Sequence, residues 1–121
     1  MTSAIRYDLP FPPAANNLFF NTGKGRAKSV RYKQWQKDAG NLINAQGRKR
    51  ITGPVSIYIG AVKPDKRKRD ISNLIKPVED ILVAMGVIED DSLVERVNAE
   101  WMPSGPPCVV IVQEHFAEMA A

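Results

Sequence analysis

Residues 66–76, KRKRDISNLIK, set four cations, Lys66, Arg67, Lys68 and Arg69, directly against one carboxylate, Asp70, with Lys76 shortly after it. Two further carboxylates, Asp90 and Asp91, stand together in IEDDS at 88–92. Carboxylates in separate loops can converge on a divalent cation, because Mg²⁺ prefers oxygen ligands and takes one or two carboxylates together with water and phosphate. A cation so held generates hydroxide and stabilises charge on a phosphorus centre. The same residues have ordinary uses: Asp70 as an acidic group at a helix N-terminus, and Asp90-Asp91 as turn residues. On residue type alone both readings stand.

Other chemistries find less support. His115 is the sole histidine, and no serine sits in a glycine-flanked elbow, so a nucleophilic triad has no material. NTGKGRAKS at 21–29 lacks the full GxxxxGK[ST] frame of a phosphate-binding loop and a strand before it. The single cysteine, Cys108, offers neither an intrachain disulfide nor zinc spacing and reads as core.

The charges are divided along the chain. Residues 1–76 hold 16 of the 17 Lys and Arg but 4 of the 13 Asp and Glu; the rest of the chain holds one cation and nine acids. A basic half beside an acidic half suits a protein that binds a polyanion and presents carboxylates to it, since cation contacts dominate phosphate binding. Solvated helix charges, or contact between opposite halves of two copies, would give the same asymmetry. A length of 121 residues implies one domain, 1–121, and 44% apolar with 25% charged residues is ordinary for a folded protein. No apolar run approaches the roughly 20 residues of a membrane span, and MTSAIRYDLP lacks the pattern of a signal peptide. The expectation is a cytoplasmic protein with no membrane partner.

These residues need elements to position them. SAIRYDL at 3–9 alternates as a first strand and PFPP stops it, because proline removes ladder donors. AANNLFFNTGKGRAKS reads as an exposed loop, with turn signals at Asn16-Asn17 and Gly23 to Gly25. Ser29 is placed to cap a helix over about 30–46, with an approximate apolar stripe of Val30, Trp35, Ala39, Leu42 and Ile43, ended by Gly47. PVSIYIGAV at 54–62 is the clearest strand. Apolar positions from Ile71 to Met85 recur at three and four, a helix ended by Gly86 and complicated by Pro77, which predicts a loosely wound first turn or a kink near Asn73. Strands follow at 93–102 and 108–114. The order β-α-β-α-β-β predicts an α+β fold in which helices cover one face of a small mixed β-sheet.

The segments KRKRDISNLIKPVEDIL and GVIEDDSLVE, with LPFPPAANNLFF nearer the start, resemble the RusA family of Holliday-junction resolvases, the crossover junction endodeoxyribonucleases. The resemblance runs from about Leu9 to Trp101, and the joint order and spacing of the segments make it specific. It implies a homodimeric, divalent-metal-dependent endonuclease, using Mg²⁺ or Mn²⁺, that nicks two strands of a four-way DNA junction symmetrically in recombination and repair. Such enzymes are commonly encoded by phages and prophages. Carried over by position, Asp70 and Asp91 match the family's acidic metal ligands, Asp90 the acidic neighbour of the second, and Lys76 the essential lysine. Lys66, Arg67, Lys68 and Arg69, with Lys24, Arg26, Lys28 and Arg31, are expected to hold the DNA backbone, contacts that position without reading sequence. Asn16 and Asn17 are candidates for DNA contact or for fixing their own loop. Trp35 and Trp101 read as core or interface residues in preference to base-stacking ones.

One position departs from the family pattern. Where Asp-x-Asp-Asn is expected the chain has Asp70-Ile71-Ser72-Asn73, one formal negative charge fewer. In a regular helix residues 72, 76 and 79 share a face, so Glu79 is a possible compensating carboxylate; an ion pair with Lys76 is its ordinary alternative. Ser72 also keeps a rival function open, a catalytically weakened or silent junction or duplex binder. A more distant third is an interaction protein whose basic half docks on an acidic partner.

Overall fold

A computed structural model describes residues 4–14 and 18–116 of the chain. The elements, in order, are β1 (Ile5–Leu9), β2 (Phe19–Thr22), β3 (Gly25–Lys28), α1 (Val30–Gln46), β4 (Val55–Ala61), a 3₁₀ turn (Ile71–Leu74) running into α2 (Ile75–Ala84), a second 3₁₀ turn (Asp91–Leu93), β5 (Val94–Trp101) and β6 (Cys108–Glu114). Four strands form one mixed sheet in the order β1-β6-β4-β5, with β4 and β5 parallel and the other pairs antiparallel. Register aligns Tyr7 with Val110, Val110 with Ile59, and Ile59 with Ala99, so these residues share one face. That face packs with Trp35, Ala39 and Ile43 of α1 and with Val78, Ile81 and Leu82 of α2 in a single core. The α+β arrangement with helices over one face of a mixed sheet is the expected one.

Cys108 is fully buried on the same face, and burial pushes its thiol up to about 12, which leaves it inert at neutral pH. Its reading as core holds. The outer edge of β1 is closed by the last turn of α1: the Asp8 N–H donates to Gln46 Oε1 at 2.8 Å, and Gln46 Nε2 donates to the Asp8 carbonyl at 2.9 Å. A side-chain amide thus satisfies both outward backbone groups of an exposed strand edge. Among the described residues no helix is long and apolar enough to cross a membrane.

Three features differ from expectation. Residues 19–28 form a hairpin where a loop was expected; Thr22 Oγ1 donates to the Gly25 carbonyl at 2.8 Å and accepts from the Lys24 N–H at 3.2 Å, which closes the turn. Two four-residue strands, FFNT with its phenylalanines adjacent and so on opposite faces, and GRAK, carry no apolar alternation to reveal them. In α1 the Ser29 cap forms as expected, with its side chain accepting from the Tyr32 N–H at 3.1 Å, but the buried stripe runs through Tyr32, and Val30 is 82% exposed. Tyr32 is drawn inward by Phe19, whose ring meets it edge-on at 5.7 Å.

The third difference concerns residues 71–85. The chain winds as a 3₁₀ turn over 71–74 and becomes α-helical at Ile75, so Pro77 lies within the first turn of α2, where backbone N–H groups have no helical acceptor anyway. No kink is needed. The tighter winding, about three residues per turn, removes the regular-helix relation that would set Ser72 on the face of Lys76 and Glu79. At the other end Gly86 adopts φ +72°, and its N–H and that of Val87 bond the carbonyls of Val83 (3.0 Å) and Leu82 (2.9 Å). This Schellman closure satisfies the last helical carbonyls and turns the chain sharply into the segment bearing Asp90 and Asp91.

Candidate active site

Asp70 sits at the junction of the basic loop and the first 3₁₀ turn, with φ −88° and ψ 126°. Its backbone carbonyl accepts from the Asn73 N–H at 3.1 Å, but its side chain caps nothing and has no hydrogen bond or ion pair among the described residues. The four cations before it are not spent on it. Asp65 takes that role: it accepts from the Arg67 N–H at 3.0 Å and pairs with Arg67 Nε at 3.3 Å and Arg69 Nη2 at 2.9 Å. These bonds, the Arg69 one foremost, hold its carboxyl below the ordinary value. Lys66 and Lys68 are exposed, so a solvent-facing cation lies on either side of Arg67.

Asp90 and Asp91 divide their roles. The Asp90 carboxylate accepts from the side chain and the N–H of Ser92 as the cap of the 91–93 turn, and those bonds hold it below its ordinary value. Asp91 is exposed on a turn that packs against α2, and its charge is felt by Glu79. Burial raises the Glu79 carboxyl above its ordinary value, the charges of Asp91 and Asp80 raise it further, and Lys76 opposes them. Lys76 itself is held by Asp80, Nζ to Oδ1 at 3.1 Å and to Oδ2 at 3.0 Å. Asp80 also accepts from the Tyr32 hydroxyl at 3.0 Å. Burial and the neighbouring Asp80 charge together keep the Tyr32 phenol protonated, so it remains a donor.

The Schellman turn, Ile88 in the core and Glu89 fix the 88–93 segment; Glu89 accepts from the Gly53 N–H at 2.7 Å. The 71–74 turn packs on β5, and the 91–93 turn packs on α2. Asp70 and Asp91 thus flank one helical segment in sequence, and the Asp91 turn lies against α2, within electrostatic range of Glu79 midway along it. Among the described residues no three of Asp, Glu, His or Cys stand close enough to hold a metal ion by themselves. What is present is hard oxygen chemistry, an unpaired Asp70 and an Asp91 beside a second acid, which suits a dication whose remaining ligands are water and phosphate.

The chain matches the family model described as Endodeoxyribonuclease RusA over residues 10–113. It is 33% identical over 97 residues to the crossover junction endodeoxyribonuclease RusA of Escherichia coli K12, covering 78% of this chain and 80% of that protein. To the protein of the same description from Enterobacteria phage HK97 it is 30% identical over 94 residues, covering 77% and 78%. The chain belongs to the RusA family.

Within this RusA-family fold the basic candidates converge only in part. Arg31, Arg67 and Arg69 line one cavity of about 460 Å³ around Phe11–Ala14, so helix α1 and the 66–69 loop meet there. Lys24, Arg26 and Lys28 lie on the hairpin, where Arg26 covers the Phe19 ring at 4.7 Å and Lys28 lies 5.7 Å over Tyr32 and bonds Gln36 at 3.1 Å. Asn16 and Asn17 lie outside the described residues. Trp35 is core, its Nε1–H donating to the Pro10 carbonyl at 3.0 Å. His115 is engaged with Ser56, Nδ1 to Oγ at 2.7 Å. Sequence reasoning missed Asp80 and Tyr32. The i,i+4 spacing of Lys76 and Asp80 was a local signal for the first; nothing local pairs Tyr32 with a residue on the other helix.

Proposed function

We propose that this RusA-family protein is a divalent-metal-dependent endodeoxyribonuclease that resolves four-way DNA junctions by paired symmetric nicks. The observation that carries this reading is Asp70, a carboxylate without a side-chain partner among the described residues, at the end of a basic loop whose Arg67 and Arg69 pair with a different aspartate, Asp65. Asp70 and Asp91 would hold Mg²⁺ or Mn²⁺, with Asp90 fixing the turn beneath Asp91 or adding a ligand. Bound there, such a cation supplies an acidified water and offsets negative charge on the phosphate.

The chain's own groups do the rest. Lys76, held in place by Asp80 and Tyr32, presents an ammonium to the phosphate oxygens as charge develops on them. Glu79, beside Asp91, restores the negative charge that Ser72 does not provide, directly or through water. Lys66, Arg67, Lys68, Arg69 and Arg31, with the hairpin cations, carry the phosphodiester backbone and make affinity fall with salt. Two sites at fixed separation are needed for paired nicks, which a C₂ homodimer supplies. The relatives' printed names, which specify crossover junctions, support this substrate.

Ser72, with no preassembled three-acid cluster among the described residues, favours one other reading, a silent junction binder. Four-way junction and plain duplex, each incubated with the protein with and without Mg²⁺, separate the two. Symmetric nicks in the junction arms only with Mg²⁺ are expected; junction binding with no nick at any metal concentration would leave only the binder.

A further inference from the structure

A second cavity, of about 390 Å³, opens beside Asp70 and is walled by Phe11, Trp101, Arg69 and Asn73, with Arg67 and Lys68 also lining it. The Phe11 and Trp101 rings lie nearly parallel, 11° apart with centroids at 6.2 Å. The Arg69 guanidinium stands 5.3 Å from the Phe11 ring and the Lys63 ammonium 5.2 Å from the Trp101 ring. Both rings remain partly exposed although they pack on the core. In the wall Arg69 Nε is buried without a hydrogen-bond partner among the described residues, and Asn73 is partly exposed, with its amide accessible from the cavity. Asn73 is also locked to the acidic site, since its N–H donates to the Asp70 carbonyl at 3.1 Å.

Parallel aromatic rings, a guanidinium plane and an accessible amide, beside cations that suit a phosphodiester, are the combination that accepts an unstacked base. A phosphate held at Asp70 places the neighbouring nucleotide within reach of this cavity. At a four-way crossover base stacking is interrupted, so turning one base out costs less than in a continuous duplex. An amide carries both a donor and an acceptor and can read a base edge through two bonds.

We propose that this cavity takes one unstacked base of the strand held at Asp70, against the Phe11–Trp101–Arg69 wall and read by the Asn73 amide, and so selects the sequence at the cut. The inference rests on the nuclease reading above. It also gives Trp101 a ligand-facing role that its sequence context did not suggest.

The test is the cleavage profile of four-way junctions carrying each of the four bases at every position flanking the cut. The wild-type protein is expected to discriminate about tenfold or more between best and worst base at one position. Asn73→Ala should reduce that ratio to about twofold while leaving other positions' preferences in place. Phe11→Leu, which removes the ring but keeps bulk, should slow all four bases at that position by about tenfold. Because Phe11 touches the core, a second measurement uses the unaltered protein: 2-aminopurine at that position, in metal-free buffer, should brighten several-fold on binding as it leaves the stack. Discrimination unchanged in Asn73→Ala, or 2-aminopurine emission that stays at its unbound level, overturns the pocket alone. A wild-type protein that cuts no junction overturns the nuclease reading and the pocket with it.

Discussion

Asp65 and Asp70 lie in one basic loop and are used in opposite ways. Asp65 gathers Arg67 and Arg69 through three contacts and shapes the loop. Asp70, immediately after four cations, has no side-chain partner among the described residues. A similar division separates Asp80, spent on Lys76 and Tyr32, from Asp91, whose charge is felt by a second acid, Glu79. Carboxylates of the first kind hold the protein together, and on the proposed function those of the second kind would be kept for a cation and its phosphate. On the proposed function, cation and carboxylate in KRKRD would meet through a bound phosphate and not through each other. The two kinds should separate in experiment: loss of an unpaired acid removes activity without loss of stability, and loss of a paired acid does the reverse or both.

The largest effect is expected at the unpaired acids. Asp91→Asn should lower junction cleavage by about a hundredfold or more, the scale of losing a group that acts on the developing charge, while the melting temperature without metal stays within error. Unaltered cleavage would remove Asp91 from the second kind. Next is Asp80→Asn, a change to the residue that orients Lys76. Cleavage at saturating DNA should fall by about 10- to 100-fold, the scale seen when a partner that orients an active group is lost, with little change in the DNA concentration needed. Tyr32→Phe, which removes one bond to the same carboxylate, should follow it in direction and cost stability by about 1–3 kcal/mol. If the two substitutions together cost no more than Asp80→Asn alone, they act through one network.

Glu79→Gln should raise the Mg²⁺ concentration needed for half-maximal cleavage by about tenfold, on the scale of a changed partner at a metal site. An unchanged metal requirement would return Glu79 to the role of a simple helical surface acid. The smallest effect is expected at Asp65. Its carboxyl is held below its ordinary value of 3.8 in the fold, so its stabilising contribution is present above that pH and lost as pH falls through the lower folded value. Asp65→Asn should therefore lower the melting temperature slightly at neutral pH, and not at all once the wild-type carboxyl is protonated. Cleavage at saturating DNA should be unaffected. A large loss of cleavage with unchanged melting would place Asp65 among the acids of the second kind.

What was legible in the sequence was what is local. Asp70, Lys76, Asp90 and Asp91 stand in two short segments joined by one helix, so their spacing survives in the fold, and the Ser29 and Gly86 boundaries formed as their chemistry required. The 19–28 hairpin escaped because both strands are short and show no apolar alternation, and Tyr32 is packed edge-on by Phe19 from that unseen hairpin. The expected stacking of residues 72, 76 and 79 presumed one winding throughout, whereas the chain changes from three residues per turn to the α-helix at Ile75. The Phe11–Trp101 wall joins opposite ends of the chain, and the Tyr32–Asp80 bond joins two helices. No window on the sequence contains either pair.

The central claim is that Asp70 is kept free of protein partners in order to act on DNA phosphate with a divalent cation. Single-turnover cleavage of a four-way junction by Asp70→Asn, measured beside junction affinity in the same preparation, tests it most directly. Affinity equal to or tighter than wild type, with cleavage reduced by about a hundredfold or more, is the predicted result. Cleavage at the wild-type rate, or a loss of cleavage wholly accounted for by lost affinity, would contradict it.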